Sequence, residues 1–98
     1  MSPDPRFDDE IHAPVRLRIC GILAGAKWVD FATIRDTLGL ADSVISKHVS
    51  RLEDIGYVAT EKLVSRGRAR TWIRLTDDGR TAFTAHCAAL RQIAGGLI

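Results

Sequence analysis

Long apolar runs are missing from this 98-residue chain. The longest, Ile19–Ala26, falls far short of the roughly 18 residues a membrane-spanning helix needs, so no segment is expected to cross a bilayer. Cysteine is scarce. Cys20 and Cys87 lie far apart, each inside an apolar helical pattern, which argues against a disulfide framework or a zinc site and reads both as small buried hydrophobes. The opening MSPDPRFDDE lacks the basic, apolar and small-residue succession of a signal peptide, and a cytoplasmic location is expected. A nucleophile motif, a phosphate-binding glycine loop and paired carboxylates outside the surface acids are also lacking, so catalysis is not expected. His12, His48 and His86 are scattered over three elements; no metal site and no cofactor are expected.

What is present is enough for one domain, since an apolar content of 46% suffices to build one core at this length. The net charge of +2 hides an asymmetry. Residues 1–10 carry Asp4, Asp8, Asp9 and Glu10 against Arg6, a balance of −3, whereas residues 62–74 carry Lys62, Arg66, Arg68, Arg70 and Arg74 with no acid. A concentrated basic stripe on a nearly neutral body is the electrostatic footprint of a protein that docks on phosphates.

Residues 1–10, with Pro3 and Pro5 and no periodicity, read as a flexible arm unless Phe7 pins them to a partner surface. From Ile11 the spacing of Val15, Ile19, Ile22 and Leu23 predicts a helix with Pro14 in its first turn, closed by Gly25. Asp30 caps a second helix with Phe31, Ile34 and Leu38 on one face and Gly39 at its end. Asp42 or Ser43 caps a third, running 42–55, whose buried stripe is Ile45, Val49 and Leu52 and whose stop is Gly56. The period then shifts to two: YVATEKLV, the turn SRGR and ARTWIRL form a hairpin. Thr76, with Asp77 and Asp78 behind it, starts a last helix with Phe83, Cys87, Leu90 and Ile93 or Ala94 as its apolar face, Gly79 weakening its first turn. The predicted class is therefore α+β, mainly α: a winged helix-turn-helix of three helices, a two-stranded wing and a C-terminal helix, occupying residues 11–98.

The polar face of the third helix is Ser43, Ser46, Lys47 and Ser50. Short hydroxyl side chains let a helix backbone approach base edges in a major groove, and lysine reaches guanine or phosphate. Arg51 flanks this face as a phosphate ligand or as a surface partner of Asp54 or Glu53; His48 either packs against a neighbouring helix or contacts bases. In the hairpin, Arg66 and Arg68 bracket Gly67 at a tip suited to a minor groove, where narrow DNA focuses negative potential. Lys62 and Arg70 belong to the same stripe. Trp72 shares a strand face with Arg70 and Arg74, placed to stack on a guanidinium or to pack against helices or a partner.

The segments GLADSVISKHVSRLEDIGYV (39–58) and SRGRARTWIRLTDDGR (65–80) resemble winged-helix regulators of the MarR and ArsR type, a likeness running from about His12 to Leu90. The resemblance implies a homodimeric regulator of transcription, usually a repressor, with Ser46 and Lys47 on the recognition helix and Arg66 or Arg68 on the wing. Double-stranded DNA and a second copy of the chain are the partners it implies, and a small-molecule effector stays unidentified. The chain lacks the room for the longer terminal helices of typical MarR proteins and the cysteine pairs or His and Asp clusters of metal-sensing ArsR proteins. Dimerisation is therefore expected from Phe7, Ile11, Leu90, Ile93 and Leu97, an apolar surplus beyond what one small core needs. A two-fold dimer places its recognition helices about 34 Å apart and reads a palindrome. Two rival readings share this fold: a protein-interaction module and a thiol switch using Cys20 or Cys87.

Overall fold

In the computed structural model, which describes residues 4–95, the chain runs α1 (Asp9–His12), α2 (Pro14–Ala24), β1 (Val29–Asp30), α3 (Phe31–Leu38), α4 (Asp42–Asp54), β2 (Val58–Ser65), β3 (Arg68–Leu75) and α5 (Asp77–Ile93). The single helix expected from Ile11 is two. Ala13 sits at φ −53°, ψ 128°, outside the helical region that a residue before proline avoids, and Pro14 opens α2 at a position where its missing N–H costs nothing. Asp8 caps α1 by accepting from the N–H groups of Glu10 and Ile11.

The helix-turn-helix closes as local chemistry dictates. Asp30 Oδ1 accepts the N–H of Thr33 at 2.8 Å, and Gly39 ends α3 in the left-handed region at φ +65°. The cap expected from Asp42 or Ser43 is not made: Ala41 holds the cap position, and Asp42 lies in the first turn, 3.3 Å from Arg35 Nη1. There its charge still complements the helix dipole. At the other end Gly56, at φ +82°, donates to Glu53 O while Tyr57 N donates to Leu52 O, the paired closure that glycine permits after a helix.

β2 and β3 pair antiparallel from Val58↔Leu75 to Ser65↔Arg68. The connecting residues Arg66 and Gly67 both take positive φ, 52° and 74°, which is the two-residue turn whose twist matches a hairpin. A third strand, β1, lies on the far side of β3 through Val29↔Ile73 and Asp30↔Trp72. Two residues are too few to show alternation, so the sequence hides it.

Ile11, Ile19, Cys20, Leu23, Ile34, Ile45, Val49, Leu52, Val58, Ile73 and Leu75 form the core. Two expectations change here. Ile11, assigned to a dimer interface, is fully buried; its side chain is used inside its own protomer and has nothing to offer a second copy. On α5 the buried residues are Gly79, Ala85, His86 and Ala89, while Phe83, Cys87 and Leu90 are half-buried and Ile93 is 71% exposed. The cause is the described part of the segment expected to be a flexible arm, which lies along α5 at Arg6 and Asp8: Arg6 N donates to Ala85 O, and Asp8 N to His86 Nδ1 at 2.9 Å.

One close approach locks α5 to the rest. Thr76 Oγ1 accepts from Gly79 N and donates to Gly56 O, and Thr76 N donates to Tyr57 O. A Cβ on Gly79 would stand 1.9 Å from Tyr57 O. Glycine, expected only to weaken this turn, is sterically required by it.

Candidate nucleic-acid interface

α4 turns Ile45, Val49 and Leu52 inward, which by the 3.6-residue period leaves Ser43, Ser46, Lys47, Ser50 and Arg51 exposed. The three serines are short side chains, so the helix backbone lies close to the surface along this face. The two strands of the wing leave the body after Thr60, and every residue from Glu61 to Arg70 is exposed.

The basic stripe is not one patch. Side chains alternate across a strand, and Ile73 and Leu75 face the core. Lys62, directly opposite Thr71, is therefore on the inner side of the wing. With Ser46, Ser50, Thr60 and Phe31 it lines an open groove between the wing and α4. Arg68, Arg70, Trp72 and Arg74 take the outer side. There Arg70 Nη1 lies 3.4 Å from Asp30 Oδ2, which tethers the wing to the cap of α3. Thr33, more than Arg70, holds the Asp30 carboxyl below its ordinary range. Arg74 stands 5.5 Å over the ring of Trp28, so the tryptophan that engages an arginine is Trp28 and not Trp72. Arg66 and Arg68 at the tip have no carboxylate at salt-bridge distance among the described residues. With Lys62 on the inner side, also exposed and in no salt bridge among the described residues, they are wing cations open to an external phosphate.

Arg51 has a partner that its neighbours in sequence did not reveal. Its Nε donates to Glu10 Oε2 at 3.0 Å and its Nη2 to Glu10 Oε1, in place of Asp54 or Glu53. The hydrogen bond from Arg51 is the main reason the Glu10 carboxyl titrates below its usual range, and Arg16, 3.7 Å away, adds to it. His48 takes the structural alternative: Arg16 Nη1 donates to its Nδ1 at 3.1 Å. Burial, with Arg16 and Lys47 beside it, pushes the pKa of this imidazole down.

The remaining sites sort by burial. His12 and His86, scattered in sequence, meet at 3.2 Å between Nδ1 and Nε2, and Phe7 packs on both rings. Because His86 Nδ1 accepts the Asp8 N–H, its own proton is on Nε2, directed at His12. No group of three or more metal-ligating side chains is gathered among the described residues. The Cys20 thiol is buried and pushed up to about 12, chiefly by desolvation. Cys87, expected to be buried, is half-buried. Phe7 is 41% exposed despite its contacts, and Leu97 lies outside the described residues. Among the described residues no helix is long and apolar enough to cross a membrane.

Known proteins share this arrangement. Residues 15–94 match the family of the winged helix DNA-binding domain. An uncharacterized protein of Methanocaldococcus jannaschii is 34% identical over 80 residues, 82% of this chain and 87% of its own length. The structure of a transcriptional regulator homologue from Pyrococcus horikoshii OT3 superposes with a TM-score of 0.84 at 30% identity, covering 90% of this chain and 87% of the other. That of the PcaV transcriptional regulator from Streptomyces coelicolor, in complex with its natural ligand, gives 0.76 at 25% identity, covering 90% of this chain and 61% of PcaV. The chain thus belongs to the winged-helix DNA-binding family and is a transcription regulator of MarR type.

Proposed function

We infer that the protein is a homodimeric repressor that reads a palindromic operator, with α4 in the major groove and the wing on the minor groove and its phosphates. The observation that carries this is the pairing of an α4 face made of three serines and Lys47 with a hairpin tip carrying two unpaired arginines. The first suits close approach to base edges, the second suits a narrow groove of high negative potential. Ser43, Ser46, Lys47 and Ser50 are assigned to the bases and nearby phosphates. Arg51, Lys62, Arg66, Arg68 and Arg70 are assigned to the DNA backbone. Ile93, 71% exposed, and Phe7, 41% exposed and packed on His86 earlier on α5, support a second copy docking on the α1–α5 side. About 34 Å between the two α4 helices would match one turn of DNA. PcaV was solved with its natural ligand, which supports a small-molecule effector for this chain also, its chemistry unidentified.

The experiment is binding to a labelled fragment of the gene's own upstream region, titrated with salt and with random competitor DNA. Tight binding that resists competitor and falls steeply with salt establishes a specific, phosphate-anchored regulator. One observation favours a second reading, a winged helix that docks on protein: Leu63 and Val64 on the wing are 48% and 74% exposed. No preference over random DNA in the same titration would favour it.

A further inference from the structure

Arg16 of α2 and Lys47 and Arg51 of α4 surround one open hollow; Asp54 of α4 lies at its edge, and the carboxylate bonded to Arg51 is Glu10 of α1. Arg51 meets it with two parallel N–H donors, the geometry a guanidinium offers equally to a phosphate. Lys47 and Ser50, the neighbouring side chains of α4, belong to the face assigned above to DNA. The ion pair is half in solvent, with Glu10 36% and Arg51 50% exposed, so it is weak enough to exchange with an external anion. Glu10 also stays in place without the pair. The α1 turn is held by the Asp8 cap, by the bond from Tyr57 Oη to Asp8 Oδ2 at 2.6 Å, and by the burial of Ile11.

Resting on the DNA-binding reading, we propose that Glu10 is an internal competitor for phosphate: it occupies the guanidinium of Arg51 and sets the protein's affinity for DNA below what its cations would otherwise give. A backbone phosphate arriving beside Lys47 displaces the carboxylate from Arg51, and Glu10 is left facing Arg16. The acidic N-terminal segment is then part of the DNA-binding surface, as its negative regulator.

The test uses the full chain and a labelled duplex of random sequence, about 30 base pairs or three helical turns long, titrated with salt. Glu10→Gln is expected to bind about threefold more tightly at low salt with the slope of log affinity against log salt unchanged, because Arg51 ends on a phosphate in both proteins but only the wild type must first give up the carboxylate. Glu10→Ala, which leaves no amide to stay bonded to Arg51, gives the same change. In an Arg51→Ala background neither substitution alters affinity or slope. Wild-type affinity in both Glu10 variants, or a gain that persists without Arg51, overturns the competition while leaving the DNA-binding reading intact. A wild-type chain that binds no duplex at any salt overturns the DNA-binding reading itself.

Discussion

Residues 29–75 and the two ends of the chain are built on different rules. The first region, β1 through β3, takes its shape from neighbours in sequence: Asp30 caps α3, Gly39 and Gly56 close helices, and Arg66 with Gly67 turns the hairpin. Residues 4–24 are held by polar contacts between groups far apart in the chain, to α5 through Asp8 with His86 and His12 with His86, and to the first region through Asp8 with Tyr57 and Glu10 with Arg51. The first region presents the DNA-facing side chains, and the second decides how they are held. A bond between remote residues orders more chain than a local cap does, so the ends are where single substitutions reach furthest.

That contrast is broken most severely where the two regions meet. Gly79→Ala drives a methyl group into Tyr57 O and is expected to cost about 3 kcal/mol, read as a shift in the midpoint of denaturant unfolding. Next comes Asp8→Ala, which removes the α1 cap and the acceptor for Tyr57 together. A loss of about 2 kcal/mol is expected in the same measurement, and a value no larger than an ordinary surface substitution would show that the N-terminal segment is not held as described.

Within the DNA-facing region the effects are on binding and not on folding. Lys47→Ala is expected to relax sequence preference at about 1.5 kcal/mol per half-site, measured by competition between operator and scrambled duplexes. Arg68→Ala should instead weaken binding to all sequences alike and lower the salt slope by about one. Equal effects of the two on preference would erase the distinction between helix and wing.

The smallest expected effect is on pH and belongs to the ends. Burial, with His12 beside it, holds the pKa of His86 below the ordinary histidine value. The unfolded chain therefore binds the proton first, near pH 6.5. The stability that rests on neutral His86 is complete above that pH and is lost as the pH falls towards the depressed folded value. Protonation would also set an N–H at Nδ1 against the Asp8 N–H. Unfolding midpoints compared at pH 7.5 and 5.5 (roughly one unit either side of 6.5) should separate for the wild type and draw together in His86→Gln.

The sequence made the helix-turn-helix and wing legible because caps, glycines and the change of period from 3.6 to 2 are local signals. Ser46, Lys47 and Ser50 were legible for the same reason: once Ile45, Val49 and Leu52 are buried, their exposure follows. Reading failed where the cause was remote. Nothing in the periodicity of α5 marks His86 as buried, because its partner is an amide 78 residues away. Glu10 and Arg51, 41 residues apart, looked like members of two unrelated charge clusters. Pro14 in a first turn is legible, but the break it imposes on Ala13, and with it α1, leaves no mark in the apolar spacing. The basic stripe is visible in the sequence as a count, but a tally of charge is blind to the side of the strand that Lys62 and the arginines each take.

The wing tip shows what the molecule gives up for its function. Arg66 stands in the left-handed region at φ 52°, where a side chain of this kind costs about 1 kcal/mol and glycine costs almost nothing. A hairpin selected for stability alone would carry asparagine or glycine there, as such turns usually do. Holding arginine in that place keeps a positive charge at the outermost point of the fold at a standing loss of stability. The tip is thermodynamically suboptimal in isolation, and the compensation lies in whatever anion it meets.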